Sequence, residues 1–109
     1  MRRKQYETLK RLDEHDVPIT SKNGELLTPE YIYKNRKRVR PSLSIQPDWN
    51  LLEKRLETKL KKGTLSSIYI LGEEMSPEKQ LEEVRNRTAL GYKIMLAEHG
   101  LLEYLLNLE

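Results

Sequence analysis

The chain has 109 residues, which fit one domain, residues 1–109, with a single modest core. Its net charge is +3, its charged fraction is 34% and its mean hydropathy is −0.77, so the domain is polar. The absence of cysteine excludes disulfides and thiolate metal sites and fits a reducing compartment, so we expect a cytoplasmic protein. The charged amino terminus lacks the apolar segment of a secretory signal, and no run reaches the ~18 apolar residues that a membrane span needs, so we expect no membrane association.

The first predicted element is a helix over residues 3–15, in which Tyr6, Leu9 and Leu12 recur about one turn apart. Charged residues fill the rest of this segment, so the helix is expected to lie on a surface. Pro18 ends it, because proline disfavours helical conformation in the residue before it.

Asn23-Gly24 is the strongest short turn signal in the chain, because both central residues of a type I′ turn need positive φ. The flanking residues 17–22 and 25–28 could form a short hairpin around it. Their apolar and polar residues alternate poorly, so an irregular loop is the alternative.

Thr28-Pro29-Glu30 predicts the start of a second helix. Threonine can cap the free amides, proline fits the first helical position, and glutamate complements the helix dipole. We expect this helix to run from Pro29 to about Arg38 and to stop before Pro41.

Asp48 caps the clearest predicted helix, residues 49–62, and Gly63 suits the left-handed position that follows a helix. The apolar face of this helix consists of Trp49, Leu52, Leu56 and Leu60. Residues 41–47 before it favour extended chain, and Ile68, Tyr69 and Ile70 after it favour a strand.

Ser76-Pro77-Glu78 repeats the Thr28-Pro29-Glu30 helix start, and a helix can continue from it to Leu108. Gly91 and Gly100 are the points where that helix could break or bend. The two shared helix starts are too short to define an internal repeat. The final dipeptide, Leu108-Glu109, resembles the residues that tag cloning leaves at a carboxy terminus, so we expect no functional role for it.

These elements predict a small α+β domain in which helix dominates, with three to four helices and a short two- or three-stranded sheet. The alternative is an all-α domain in which residues 64–72 are an extended connection. Pairing between residues 41–46 and 65–71 is the expected sheet contact.

The charge is unevenly distributed along the chain. Residues 1–62 carry 16 Lys and Arg against 9 Asp and Glu, a charge of +7, whereas residues 63–109 carry 4 against 8, a charge of −4. The two parts, a basic one and an acidic leucine-rich one, either meet different partners or attract each other.

The sequence offers little catalytic chemistry, so we expect a protein that is not an enzyme and has no cofactor and no small-molecule substrate. Asp13, His15 and Asp16 could supply metal ligands, but carboxylates beside a histidine are common at exposed helix ends, and no metal site is predicted. His99 and Glu103 can share a helix face, yet a histidine before glycine more often marks a helix terminus. No glycine-rich phosphate loop or nucleophile-elbow serine is present.

The strongest functional signal lies between Tyr31 and Pro41, where five cations fall in seven positions. Two or three would suffice to complement the helix dipole, whereas lysine and arginine in excess can neutralise the phosphates of DNA or RNA. The predicted nucleic-acid-binding residues are Arg2, Arg3, Lys34, Arg36, Lys37, Arg38 and Arg40. Tyr31 and Tyr33 could stack on bases or anchor the helix in the core. The alternatives are a solvated surface and a site for an acidic protein partner.

A helix-turn-helix motif is a weaker interpretation of this region. The connection from Asp16 to Thr28 is much longer than the turn of that motif, which has about 3–4 residues. The expected role is therefore that of an accessory or regulatory protein with a basic surface rather than a reader with a recognised motif.

The carboxy-terminal helix carries a second candidate surface. Its predicted interface residues are Leu101, Leu102, Tyr104, Leu105 and Leu106. These side chains would span more than half of the helix circumference, so a protein–protein interface, most simply a homodimer, could cover part of them. The alternative is a central helix that the rest of the domain surrounds.

Overall fold

The computed structural model describes residues 1–41 and 47–107, which form five helices and two separate two-stranded antiparallel sheets. The helices are α1 (Arg3–Arg11), α2 (Pro29–Lys34), α3 (Trp49–Lys62), α4 (Pro77–Arg85) and α5 (Ala89–Leu106). The strands are β1 (Thr20–Lys22), β2 (Glu25–Leu27), β3 (Ile68–Ile70) and β4 (Glu73–Met75). Helices hold more than half of the described residues, which confirms the helix-dominant α+β class.

The first hairpin confirms the prediction made from Asn23-Gly24. β1 pairs with β2 so that Thr20 faces Leu27 and Lys22 faces Glu25. Asn23 and Gly24 have φ values of 53° and 84°, as a type I′ turn requires. The alternative of an irregular loop is therefore excluded.

The second hairpin repeats the first one 48 residues later along the chain. β3 pairs with β4 so that Ile68 faces Met75 and Ile70 faces Glu73, which is the register of the first hairpin. Its turn residues, Leu71 and Gly72, have φ values of 53° and 82°. The strand at Ile68–Ile70 was predicted, whereas β4 was not, because leucine gives no signal for a positive-φ turn. The predicted partner strand covers residues 41–46. Of these only Pro41 is among the described residues, so the prediction lies outside the part of the chain that the structure describes.

A capped helix follows each hairpin in the same way. The Thr28 hydroxyl accepts a hydrogen bond from the Tyr31 amide, and the Ser76 hydroxyl accepts one from the Lys79 amide. Each hairpin and its helix therefore form one repeated unit, which is longer than the shared helix starts alone. We call Thr20–Lys34 the first hairpin motif and Ile68–Arg85 the second.

Two predicted helices end earlier in the structure than expected. α1 stops at Arg11 instead of residue 15, because Asp13 takes a left-handed conformation with φ of 59°. α2 stops at Lys34 instead of Arg38, where the Asn35 side chain donates a hydrogen bond to the Tyr31 carbonyl oxygen, 2.9 Å away. α3 has the predicted bounds, with Asp48 as its cap and Gly63 at φ 75°.

The long carboxy-terminal helix that was predicted is two helices, α4 and α5. The break falls at Arg87, with φ of 52°, and Thr88 then caps α5 by accepting a hydrogen bond from the Gly91 amide. Gly91 lies against α4, since a Cβ atom there would be 2.1 Å from the Glu83 carbonyl oxygen. Gly91 thus permits close packing of α4 and α5. Gly100 lies inside α5, and the helix continues past it to Leu106.

Among the described residues, two apolar clusters form the core, and each includes buried side chains of one hairpin motif. The first consists of Leu9, Ile19, Leu27, Ile32, Val39, Leu51, Leu52, Met95, Leu102 and Leu105. The second consists of Leu56, Met75, Leu81, Val84 and Ile94. α3 and α5 contribute to both clusters and so join the two motifs. No helix within residues 1–41 and 47–107 is long and apolar enough to cross a membrane.

Candidate nucleic-acid interface

The basic segment after α2 is a turn that directs its cations outward. We call residues 34–40 the basic turn. The Arg38 and Val39 amides both donate hydrogen bonds to the Asn35 carbonyl oxygen, at 2.8 and 2.9 Å. Val39 is buried in the first core cluster, and this anchors the turn from within. The five cations of the basic turn, Lys34, Arg36, Lys37, Arg38 and Arg40, are all exposed.

Two of these cations interact with neighbouring groups of the chain. The Lys34 ammonium lies 2.9 Å from Glu30, and this hydrogen bond lowers the pKa of Glu30 and raises that of Lys34. The Arg36 guanidinium donates a hydrogen bond of 2.9 Å to the Tyr33 carbonyl oxygen and lies over the Tyr33 ring, 4.5 Å from its centre. Both contacts are local to α2 and its end.

The other three cations, Lys37, Arg38 and Arg40, have no carboxylate within 4.0 Å among the described residues. Lys37 and Arg38 line a polar hollow of about 410 Å³, together with Lys34, Asn35 and Arg36. The hollow therefore combines four cations with one amide side chain. A concave surface with this charge is complementary to an anion or to a chain of anions.

An aromatic stack connects the basic turn to α1. The Tyr6 and Tyr33 rings are stacked, with centroids 4.4 Å apart and planes 12° from parallel. Arg36 lies against Tyr33, and the Lys10 ammonium lies 5.7 Å from the centre of the Tyr6 ring. Tyr33 is thus half-buried and anchors α2, whereas Tyr31 is 47% exposed and available to a ligand.

The amino-terminal cations differ in their surroundings. The Arg3 guanidinium lies 3.1 Å from Glu7 on the same helix, so its charge is compensated. Arg2 precedes α1, and its carbonyl oxygen accepts a hydrogen bond from the Tyr6 amide. Arg2 therefore lies one helical turn from the aromatic stack. Lys10, which sequence reasoning did not select, lies against that stack.

The predicted leucine surface of α5 belongs largely to the core. Leu102 and Leu105 are 0% and 1% exposed in the first cluster, and Leu101 and Leu106 are half-buried against it. Of the five predicted interface residues only Tyr104 is well exposed, at 63%. Leu102 and Leu105 share this cluster with Leu9 of α1 and with Leu51 and Leu52 of α3, which agrees with the alternative of a helix that packs within the domain.

The acidic cluster after α1 is filled by a lysine. The ligand atoms of Asp13, His15 and Asp16 lie within 4.8 Å of one another. The Lys62 ammonium donates hydrogen bonds to the Asp13 carboxylate at 2.9 Å and to the Asp16 carboxylate. Partial burial opposes the ionisation of Asp16, but the hydrogen bond and charge of Lys62 outweigh it and lower the pKa of Asp16. The cluster thus fastens the end of α3 to the loop after α1.

A buried charge network was missed by sequence reasoning. Arg55 is fully buried, and its guanidinium donates hydrogen bonds to Glu14, Glu98 and the Pro18 carbonyl oxygen at 2.8–3.0 Å. The Lys59 ammonium lies 3.4 Å from Glu14 and 3.6 Å from Glu98. The available signal was position, because residue 55 shares the face of α3 that buries Leu52 and Leu56. With these partners satisfied, the network supports the fold.

His99 is buried in the fold, whereas Glu103 is exposed. His99 is 9% exposed, and its Nε2 atom is 3.5 Å from the Glu103 carboxylate. His99 is an internal residue of α5 rather than its terminus. Comparison of the chain with protein-family models, with curated proteins and with solved structures found no match, so the interpretation of function depends on the geometry above.

Proposed function

We propose that this chain is a non-enzymatic accessory or regulatory protein that contacts nucleic acid through the basic turn. The observation that carries the proposal is the group of three exposed cations, Lys37, Arg38 and Arg40, without a carboxylate partner among the described residues. Neutralisation inside the chain is therefore not their role. The expected location is the cytoplasm, as the cysteine-free sequence suggests.

Electrostatics supports a polyanionic partner over a single small anion. The cations occupy five of seven successive positions on an exposed turn, so successive phosphates of a backbone can each meet one of them. Binding would release condensed counterions, which makes the affinity steeply dependent on salt. Lys34 and Arg36 add charge at one end of the turn, and Arg2 and Lys10 add charge near the aromatic stack.

Tyr31 supplies the second kind of contact in the proposal. It is 47% exposed and lies beside Val39, which anchors the basic turn, in a hollow of about 290 Å³. An exposed tyrosine beside cations can stack on an unpaired base, and stacking favours single-stranded over duplex nucleic acid. We therefore expect tighter binding to single strands than to duplexes of the same length.

The test is a salt titration of binding to labelled single-stranded and duplex oligonucleotides, followed by fluorescence anisotropy. A variant with Lys37→Ala, Arg38→Ala and Arg40→Ala should bind more weakly, and the slope of log affinity against log salt should fall by about three. Lys79→Ala is a charge-matched control for a single Arg38→Ala, because Lys79 is exposed on α4 and belongs to neither hollow.

Each outcome of this titration either supports or rejects the proposal. A smaller slope for the triple variant and for Arg38→Ala, with Lys79→Ala close to wild type, supports the proposal. Absence of any salt-dependent binding rejects it and leaves the solvated-surface and acidic-protein alternatives. Equal losses for Arg38→Ala and Lys79→Ala also reject it, since such binding would depend on net charge alone.

A further inference from the structure

A second candidate surface lies at the tip of the second hairpin motif, where an exposed leucine and two charged side chains without an ion-pair partner lie together. Ile70, Leu71 and Glu73 from the hairpin and Ala89, Leu90 and Lys93 from the start of α5 line a hollow of about 340 Å³. We call this hollow the hairpin groove. Four of its six lining residues are apolar, so it is suited to hold an apolar side chain.

Two features of Leu71 are unfavourable for the free energy of the isolated chain, its backbone conformation and its exposure to water. Its φ of 53° is unfavourable for a leucine, because the left-handed conformation brings Cβ close to the following carbonyl oxygen. Its side chain is also 79% exposed, so burial within the chain does not offset that strain. The first hairpin has Asn23 at the equivalent position, where asparagine tolerates the same φ. A contact with a second molecule, which would bury this side chain, therefore accounts for a leucine at a strained and exposed position.

The groove also carries one uncompensated charge of each sign. Within residues 1–41 and 47–107, Glu73 has no cation and Lys93 has no carboxylate within 4.0 Å, although both line the same groove. One patch thus contains a projecting apolar side chain, a hollow that fits such a side chain, an anion and a cation. A surface with these four features is complementary to a copy of itself related by a two-fold axis.

We propose that the hairpin groove is a self-association surface, in which Leu71 of one copy enters the groove of a second copy and Glu73 pairs with Lys93 of that copy. The two-fold axis would give two insertions and two ion pairs. Standard interfaces bury about 800 Å² on each partner, and the groove with its hairpin tip is smaller, so we expect a weak dimer that forms at high protein concentration. The basic turn has no residue in this surface, so the dimer does not depend on the proposed function.

The experiment is sedimentation equilibrium of the full chain at concentrations up to about 1 mM. Leu71→Asn should weaken association about tenfold or more, because the inserted side chain is lost, and should raise the melting temperature, because the turn is relaxed. This variant separates the proposal from misfolding, since the monomer becomes more stable as the dimer is lost. Tyr104→Ser, which removes an exposed aromatic on another part of α5, should leave association unchanged.

A charge exchange tests the identity of the partner. Glu73→Lys and Lys93→Glu should each weaken the dimer, and the double exchange should restore it, because the two-fold axis pairs residue 73 of each copy with residue 93 of the other. Recovery in the double variant supports the proposal. A wild-type chain that stays monomeric at about 1 mM overturns it, and so does a dimer that Leu71→Asn leaves intact.

Discussion

The two hairpin motifs share one backbone design but present different surfaces. Their hairpins have the same register and the same turn geometry, and each is followed by a helix with a hydroxyl cap and proline. After α2 the chain forms the basic turn, whereas after α4 it continues directly into α5. The first motif is therefore followed by exposed cations, whereas the second presents an apolar hairpin tip beside a packed helix pair.

This difference shows that the local fold of a motif is separable from what its surface offers. The caps and the positive-φ glycines serve the backbone and recur in both motifs. The side chains that differ, Lys22 and Asn23 against Ile70 and Leu71, lie at the tips of the hairpins, where Leu71 keeps the same positive φ as Asn23 although that conformation is unfavourable for leucine.

The largest effect is expected from Arg55→Met, which breaks the buried network that joins α3 to the segment before the first motif and to α5. Arg55 on α3 joins the Pro18 carbonyl, just before β1, to Glu98 on α5. Removing it leaves Glu14 and Glu98 with only Lys59 to compensate them, and the free energy of unfolding should fall by about 3–5 kcal/mol in a denaturant titration. Lys54→Met, on an exposed part of α3, should change it by less than about 1 kcal/mol. A loss below about 1 kcal/mol for Arg55→Met would show that the network is not structural.

The close packing that distinguishes the second motif can be tested with Gly91→Ala. The new Cβ would meet the Glu83 backbone, which cannot move as a side chain can, so α4 and α5 should separate and stability should fall by about 1–3 kcal/mol. Gly100→Ala is the matched control, since a Cβ there meets no atom within 4 Å. It should raise stability by about 0.5–1 kcal/mol through helix propensity alone. Changes of the same sign in the two variants would contradict the packing argument.

An exchange of the turn residues tests whether the two hairpins are equivalent. Leu71→Asn should raise the free energy of unfolding by about 1 kcal/mol, because asparagine tolerates the left-handed conformation better than leucine. Asn23→Leu should lower it by a similar amount for the same reason. Thermal unfolding at low protein concentration measures both without a contribution from association. If Asn23→Leu proved neutral, the strain assigned to Leu71 would be wrong.

The smallest expected change in stability concerns the contacts that attach the helix of each motif to its neighbour. α2 contacts α1 through the Tyr6–Tyr33 stack, whereas α4 is tied to α3 by the Arg85 ion pair with Glu57. Hydrogen bonds from Lys61 and Lys54, with that from Arg85, lower the pKa of Glu57 to about 2. Since the folded pKa lies below the unfolded value, this stabilisation is present above the unfolded pKa and is lost as pH falls toward the folded one.

Glu57→Gln should therefore lower stability by about 1 kcal/mol at neutral pH, because exposed ion pairs contribute little. The difference from wild type should shrink steadily as the pH falls below about 5. Denaturant titrations at several pH values measure it, and Glu82→Gln, which removes an exposed carboxylate of α4, is the control. A difference that persists unchanged at pH of about 2 would mean that the carboxylate charge is not responsible.

Local chemistry made the helix starts and the first turn predictable. Thr28, Asp48 and Ser76 each cap a helix as the sequence indicated, because a short polar side chain beside free amides has few other favourable arrangements. Asn23-Gly24 was predictable because both residues accept positive φ. The second turn was not, since Leu71 adopts the same conformation against its own preference.

The candidate site was predictable in its residues but not in its geometry. The excess of cations between Lys34 and Arg40 is a property of composition, and it could be read without a structure. The Glu30–Lys34 ion pair spans one helical turn and is readable from the sequence, whereas the position of Arg36 over the Tyr33 ring depends on where α2 ends. The contribution of Lys10 depends on the stack between α1 and α2, which joins residues distant in sequence.

The sequence by itself determined the caps, the first hairpin, the bounds of α3 and the helix-dominant class, because these depend on interactions between residues a few positions apart. Only the tertiary structure decided the division of α4 from α5, the burial of Leu102 and Leu105, and the inclusion of Arg55 in the core. Each of those depends on which faces meet in three dimensions, and a buried arginine or an enclosed leucine is distinguished from an exposed one only by neighbours that lie far along the chain.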